Sequence, residues 1–211
     1  MVDNDSVPQD QPPSSTDFSA KPQSHALIIG GTGMLRETSL ALATRYDLVS
    51  VIARNSNRLN DLWEEALHAG LRINPLQLDY KDEEHLATCL QDLQTQFGPV
   101  KTVVAWIKSN AEEANAIIAQ HLNQQSIPVE YYDVLGSLHY KDFEVDEEER
   151  EALFARYPQV HYHQVKLGLR QDDTDDEPRW LTYEEITEGI VAAIDSREDE
   201  FLIGDSEVSY F

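Results

Sequence analysis

The stretch His25-Ala-Leu-Ile-Ile-Gly-Gly-Thr-Gly-Met-Leu-Arg36 decides the fold, because a short apolar strand runs into a glycine-rich turn and then into a helix. Glycines let the backbone turn tightly, and the first amides of the next helix offer unpaired N–H donors and a partial positive charge. A dinucleotide pyrophosphate would sit on such a turn. The candidate binding residues of the turn are consecutive: Gly30, Gly31, Thr32, Gly33, Met34 and Leu35.

The turn departs from the G-x-G-x-x-G pattern, since its nearest fit is Gly30-x-x-Gly33, with Arg36 where a third glycine would stand. One alternative is a tight strand-to-helix turn that binds nothing. The Arg36 side chain allows two further interpretations. It either closes the phosphate site, or it reaches a phosphate and strengthens binding.

The residues after the second strand bear on the choice of cofactor. The strand Leu48–Ala53 ends in Arg54-Asn-Ser-Asn-Arg58, about twenty residues past the glycine turn. An acidic residue at this position would bind the 2′-hydroxyl of NAD, whereas arginine accommodates the 2′-phosphate of NADP. Arg54, Asn55 and Arg58 therefore favour NADP, with NAD as the alternative. The competing interpretation is that both arginines are solvated residues at a helix start that Asn55 or Ser56 caps.

The alternation of strand and helix patterns along the chain predicts an α/β fold with a doubly wound parallel sheet in a single Rossmann-type domain. Strands near residues 26, 48, 73, 101, 130 and 160 alternate with helical patterns. A capping box, Thr182-Tyr-Glu-Glu185, starts the last helix, and Glu200–Gly204 is expected to add a closing strand. The other predicted helices span 35–46, 56–69, 82–97, 109–123 and 146–156.

These segments resemble the short-chain dehydrogenase/reductase superfamily over about residues 25 to 205. Beside the glycine turn, the landmarks are Ala53-Arg-Asn55 after the second strand and Leu78-Asp-Tyr80 after the third. The resemblance implies that Asp79 contacts the adenine. It also implies that Ala105 and Trp106 lie at the cofactor-facing end of the fourth strand, although Trp106 stands where many relatives carry Asn-Asn-Ala-Gly.

The chain departs from the superfamily at its catalytic motif. Ser137 follows the fifth strand, as the superfamily's catalytic serine does, but no Tyr-x-x-x-Lys occurs about a dozen residues later. A literal match at Tyr162-His-Gln-Val-Lys166 lies in a segment rich in β-branched and aromatic residues, which predicts a strand. On a strand the two side chains would be about 13 Å apart. The catalytic residues therefore stay unassigned.

Two functions are compatible with these patterns. If the resemblance extends to activity, the protein is an oxidoreductase that transfers hydride between NADP(H) and a small carbonyl or alcohol. The alternative is a catalytically silent nucleotide-binding module that senses cofactor state or serves as a scaffold. The missing Tyr-x-x-x-Lys favours the second.

Composition limits the partners and the location. Residues 1–24 are polar and acidic and predict a disordered tail, which leaves 25–211 for the NAD(P)-binding domain. A net charge of -23 disfavours nucleic acid and anionic membranes, and no apolar run is long enough to span a bilayer.

We expect a cytoplasmic protein without a metal site, although His161 and His163 could share one strand face. A homo-oligomer is compatible with the resemblance.

Overall fold

The computed structural model describes residues 21–108, 111–136, 147–171 and 178–205. Strands and helices alternate through most of the chain, as the rhythm of the sequence predicts. The strands are β1 His25–Ile29, β2 Leu48–Ala53, β3 Ile73–Gln77, β4 Thr102–Ala105, β5 Val129–Leu135, β6 Val160–Leu167, β7 Leu169–Arg170, β8 Arg179–Trp180 and β9 Glu200–Ile203. The helices are α1 Arg36–Ala43, α2 Ser56–His68, α3 Glu83–Phe97, α4 Glu112–Leu122, α5 Glu147–Phe154 and α6 Tyr183–Ser196.

Seven strands form one sheet in the order β3-β2-β1-β4-β5-β6-β9, and all its pairings are parallel. The order reverses between β1 and β4, which is the point where open α/β sheets bind ligands at the carboxyl ends of their strands. The predicted doubly wound sheet is confirmed. The sequence did not predict the two-residue strands β7 and β8, which pair antiparallel outside this sheet.

Helices cover both faces of the sheet. Apolar residues of α1, α2 and α6 pack on one face, and those of α3, α4 and α5 pack on the other. Strands buried on both faces are continuous apolar runs. β1 and β2 nearly fit this pattern: every residue in both is buried, and the two polar ones, His25 and Ser50, hydrogen-bond to each other.

Local capping interactions explain where several helices begin. The Asn55 side chain accepts a hydrogen bond from the Arg58 amide at 3.0 Å, so Asn55 caps α2. The predicted capping box is confirmed on α6: the Glu185 amide donates to Thr182 Oγ1, and the Thr182 amide donates to the Glu185 carboxylate. α1 ends at Ala43, earlier than predicted, because the amides of residues 44–46 turn back to the carbonyls of Ala41 and Leu42.

Contacts of the folded unit begin shortly before His25. The backbone amides of Gln23 and Ser24 donate to the Asp47 carboxylate at 2.8 and 2.9 Å, and the Asp47 amide donates to Ser24 Oγ. These amides lower the pKa of Asp47 below its usual value. The rest of the predicted tail, residues 1–20, lies outside the described residues. Among the helices that the structure describes, none is long and apolar enough to cross a membrane.

Candidate cofactor-binding site

The first two glycines of the turn are required by close packing. Gly30 has a φ of 82°, a conformation that favours glycine, and a Cβ there would lie 3.0 Å from the Trp106 carbonyl oxygen. A Cβ on Gly31 would lie 2.6 Å from Ser39 Oγ and 2.7 Å from a methyl carbon of Val51. Any larger residue at either position would therefore strain the passage from β1 to α1.

Gly33 is different, because a Cβ on it would meet no atom of the described residues within 4 Å. Packing does not require glycine here. What glycine provides is an uncovered stretch of backbone that another molecule can approach closely.

The start of α1 offers hydrogen-bond donors. Over the described ranges, the backbone amides of residues 31–35 make no well-aligned hydrogen bond, although the segment folds as a turn. Leu35 occupies the N-cap position and supplies no side-chain oxygen. Uncapped amides at a helix start, together with the helix dipole, favour an anion at this place.

A crevice of about 550 Å³ opens beside this turn at the carboxyl ends of β1 to β4. Its volume lies in the range of small-molecule sites. Its walls are formed by Gly30, Thr32, Ile52, Ala53, Arg54, Asn55, Arg58, Tyr80, Trp106 and Lys108. Six of these are predicted binding residues: Gly30, Thr32, Arg54, Asn55, Arg58 and Trp106.

The other predicted residues lie beside the crevice without lining it. Leu35 and Ala105 are fully buried in the apolar core, and Met34 packs against that core. Asp79 lies at the rim, where its carboxylate is 3.6 Å from the Arg54 guanidinium and accepts a hydrogen bond from the Lys81 amide.

The charged side chains that line the crevice are positive, whereas the net charge of the chain is negative. Arg54, Arg58 and Lys108 bring three positive charges to its walls, whereas the whole chain carries a net charge of -23. The Arg54 side chain is 65% exposed, so its guanidinium is accessible from solvent. This local concentration of positive charge can attract an anionic ligand.

Sequence reasoning missed Tyr80 and Lys108. Tyr80 follows β3 and Lys108 follows β4, and the Lys108 amide lies 3.5 Å from the Tyr80 hydroxyl. Because the carboxyl ends of parallel strands meet at one edge of a sheet, the position of both residues after a strand was the signal that could have found them.

The Arg36 side chain does not line the crevice. Its guanidinium binds the Glu65 carboxylate on α2 and lies 3.1 Å from the Glu37 carboxylate. These partners, Glu65 first, raise the pKa of Arg36. Two carboxylates hold the Arg36 side chain away from the crevice walls, and both expectations for Arg36 at a phosphate stay predictions.

Tyr162 and Lys166 lie on β6, so the predicted strand is confirmed. The Tyr162 hydroxyl donates to the Asp133 carboxylate at 3.1 Å, whereas the Lys166 ammonium binds Glu200. Burial raises the pKa of Tyr162 well above its usual value. These partners differ, and neither residue lines the crevice. Ser137 lies outside the described residues.

A buried polar cluster, which the sequence did not predict, links β5, β6 and α5. Asp133 is fully buried and lies 3.2 Å from the Arg150 guanidinium, which is 5% exposed. Burial raises the pKa of Asp133 to about 6, although Arg150 and Tyr162 oppose the shift. The Gln164 amide donates to Glu151, which gives α5 a second polar contact with the sheet. The cluster anchors α5 beside the end of β5.

His161 and His163 do lie near each other, because both contact the Glu130 carboxylate, at 3.2 and 2.8 Å. These residues lie near the amino ends of β5 and β6, away from the crevice. Over the described ranges, no group of three or more histidine, cysteine or acidic residues is arranged to hold a metal ion.

Comparison with solved structures shows the fold. A citronellol catabolism dehydrogenase of Pseudomonas aeruginosa PAO1 matches with a TM-score of 0.69 and 15% identity, over 87% of this chain and 94% of that one. A metagenomic short-chain oxidoreductase in complex with NADP matches with a TM-score of 0.65 and 14% identity, over 87% and 97%. A Sphingobium yanoikuyae short-chain dehydrogenase in complex with NADPH matches with a TM-score of 0.65 and 15% identity, over 85% and 87%.

No protein-family model and no curated protein sequence matches the chain. The solved structures alone therefore confirm the resemblance to short-chain dehydrogenase/reductases, and they confirm it for the fold.

Proposed function

We propose that the crevice binds NADP(H) and that the protein is an oxidoreductase, which transfers hydride between this cofactor and a small carbonyl or alcohol. The observation that carries the proposal is the convergence of three positive side chains and a row of uncapped amides on one crevice of an acidic protein. The fold matches those of solved dehydrogenases, some of them in complex with NADP or NADPH.

The residues present fit a dinucleotide phosphate. The amides of residues 31–35 would bind the pyrophosphate, and the open backbone at Gly33 lets it approach. Arg54 and Arg58 would bind the 2′-phosphate, because guanidinium groups pair with phosphate oxygens through charge-assisted hydrogen bonds. Asn55 would help to fix this wall, since its side chain already caps α2.

The two aromatic side chains of the crevice would position the flat ends of the cofactor. Tyr80 follows β3, so we assign it to the adenine side, next to the proposed ribose site. Trp106 follows β4, nearer the middle of the sheet, and we assign it to the nicotinamide side. When bound, the cofactor supplies the hydride chemistry itself. The proton donor stays unassigned, because Tyr162 is held by Asp133.

One observation favours a second candidate, a nucleotide-binding module without catalysis. Tyr162 and Lys166 bind different carboxylates on a buried strand, so the only Tyr-x-x-x-Lys sequence of the chain is committed to structure. Such a module would use the same crevice and would bind NADP(H) without turnover. Cytoplasmic location and homo-oligomerisation stay predictions for both candidates.

Calorimetric titration of the purified protein with NADPH, NADP, NADH and NAD tests the binding proposal. We expect saturable binding with a preference for the two phosphorylated forms. Arg54→Asp should shift the preference toward NAD, while Arg156→Asp, the same charge change on a residue outside the crevice walls, should leave it unchanged. Absence of binding by all four cofactors would overturn the proposal.

A second experiment separates the two candidates. A screen of small aldehydes and ketones with NADPH would follow loss of the nicotinamide absorbance. Turnover that disappears in Arg54→Asp at subsaturating NADPH supports the oxidoreductase. Tight NADPH binding without turnover of any carbonyl in the screen supports the silent module.

A further inference from the structure

A second concave surface lies on the outside of the sheet and is unrelated to the crevice. It is a groove of about 650 Å³. Helix α1 forms its floor, and α2 and α6 form its two sides. We call it the α1 groove, and its lining is Glu37, Leu40, Ala41, Thr44, Glu65, Ala69, Leu71, Glu184, Thr187 and Glu188.

The floor of the α1 groove is apolar and partly open to solvent. Leu40 and Ala41 lie on the outward side of α1, and Leu71 continues the apolar surface beside α2. All three are half-buried, whereas Leu42 and Ala43 on the inward side of α1 are buried in the core. An apolar helix face that no described element covers completely fits a partner that brings its own apolar side chains.

The rim of the α1 groove is acidic on both sides. Arg36 partly compensates Glu37 and Glu65, because it binds both carboxylates. On the α6 side, Arg170 and Arg179 bind Glu185, whereas Glu184 and Glu188 take part in no ion pair among the described residues. The helix dipole favours Glu184 in the first turn of α6, while Glu188, four residues later, adds a second negative charge on the same side of the helix.

We propose that the α1 groove docks a basic amphipathic helix of a partner protein. Apolar side chains along one face of that helix would cover Leu40 and Leu71, and its flanking Lys or Arg residues would pair with Glu184 and Glu188. Grooves with apolar floors bind amphipathic helices in this way, and complementary charge fixes orientation and speeds encounter.

Other occupants fit the charges less well. The chain's own segment 1–20 contains aspartates but no lysine or arginine, so the acidic rim would repel it. A second copy of the chain would bring a net charge of -23 to the same surface. Cationic charge together with apolar surface is the combination that the α1 groove complements.

The probe for the test is a fluorescein-labelled synthetic 16-residue helix of leucine and lysine, with leucines on one face. A lysine–serine peptide of equal charge is the comparison probe. Anisotropy titrations would compare the full-length protein with Glu184→Gln/Glu188→Gln and with Glu83→Gln/Glu84→Gln. The second variant makes the same charge change at the start of α3, on the opposite face of the sheet.

We expect the leucine–lysine helix to bind the protein and the lysine–serine peptide to bind at least about tenfold more weakly. Glu184→Gln/Glu188→Gln should weaken binding of the helix about tenfold, while Glu83→Gln/Glu84→Gln should change it less than about twofold. Leu40→Lys should also weaken it, and circular dichroism would verify that each variant is folded.

Three results would overturn the proposal. The first is no binding of the leucine–lysine helix, and the second is equal binding of both peptides. The third is equal loss in the two double variants, because it would mean that the net charge of the protein attracts the probe without a defined site. NADPH binding is measured separately, so failure here leaves the proposed function untouched.

Discussion

The Arg54 guanidinium lies 3.6 Å from the Asp79 carboxylate at the rim of the crevice. Asp79 therefore competes for the side chain that is proposed to bind the 2′-phosphate, and its own charge repels that phosphate. Both side chains are more than a third exposed, so solvent and salt screen the pair. The pair tunes the site without blocking it.

Asp79→Asn should raise NADPH affinity about twofold to fivefold, since an exposed ion pair of this kind contributes at most about 1 kcal/mol. NADH affinity should change little. Calorimetry on this variant and on Asp61→Asn, an exposed acid on α2, makes the comparison at equal net charge. A loss of affinity for both cofactors would instead support the adenine contact that the superfamily resemblance implies for Asp79.

Two glycines of the same turn should respond differently to alanine. Gly31→Ala should destabilise the fold by about 1–3 kcal/mol, because its Cβ overlaps Ser39 Oγ, which is held by hydrogen bonds to two carbonyls. Gly33→Ala should change the free energy of unfolding by less than about 1 kcal/mol. It should nevertheless weaken NADPH binding about tenfold, by covering the open backbone.

Urea unfolding and calorimetry on the two glycine variants separate packing from binding. If Gly33→Ala bound NADPH as tightly as the unmodified protein, the pyrophosphate would not lie on this turn. If Gly31→Ala were fully stable, α1 would have room to move away from the sheet.

Glu185 should make the stability of α6 depend on acid pH. Its carboxylate binds Arg179 and Arg170 and accepts a hydrogen bond from the Thr182 amide. Hydrogen bonds from Arg179 and Thr182 lower the pKa of Glu185 from 4.5 to about 2. Because folding lowers the pKa of this carboxyl group, its charge stabilises the folded protein at pH values above its pKa in the unfolded chain. That stability is lost as the pH falls from about 4.5 toward 2.

Glu185→Gln should therefore destabilise the protein by about 1–2 kcal/mol at pH 7, and the difference should disappear as the pH falls toward 2. The neighbouring variant Glu184→Gln, which changes the same charge without breaking the capping box, should lie within about 0.5 kcal/mol throughout. Denaturant titrations at several pH values measure both. A pH-independent penalty for Glu185→Gln would show that shape, and not charge, matters at this site.

Asp133 should give the opposite pH dependence. Burial raises its pKa from 3.8 to about 6, so the folded protein binds the proton more tightly than the unfolded chain does. Protonated Asp133 therefore contributes its full stability at pH values below its pKa in the unfolded chain. That contribution is lost as the pH rises from about 4 through 6.

Unfolding of the unmodified protein and of Asp133→Asn at pH values from 4 to 7 tests this prediction, because their other titrating groups are the same. The advantage of the aspartate over asparagine should shrink as the pH rises. The ¹³C shift of the Asp133 carboxyl would report its pKa directly. An advantage that grew with pH would mean that Arg150 keeps the carboxylate charged despite its burial.

The sequence was informative where a structural signal is local. The glycine turn, the Thr182–Glu185 capping box and the strand containing Tyr162 each depend on neighbouring residues, and all three elements form as predicted. The cofactor site itself stays a prediction, because no ligand contact defines it.

The parts that the sequence did not reveal depend on distant residues. Arg36 was a candidate phosphate ligand, yet its partner Glu65 lies on the next helix and becomes visible only once α1 and α2 are packed. The Asp133–Arg150 pair similarly requires the position of α5 relative to β5. Periodicity predicts the elements, but it does not determine which side chains meet between them.

The ion pair between β5 and α5 also has a consequence for protein engineering. It fixes the two elements that flank residues 137–146, whatever the length of the chain between them. Loop-closure entropy rises only slowly with length, by about 0.6 kcal/mol for each doubling. This connection is therefore a position at which a longer segment from a dehydrogenase of this fold could be grafted, while the anchored scaffold stays folded.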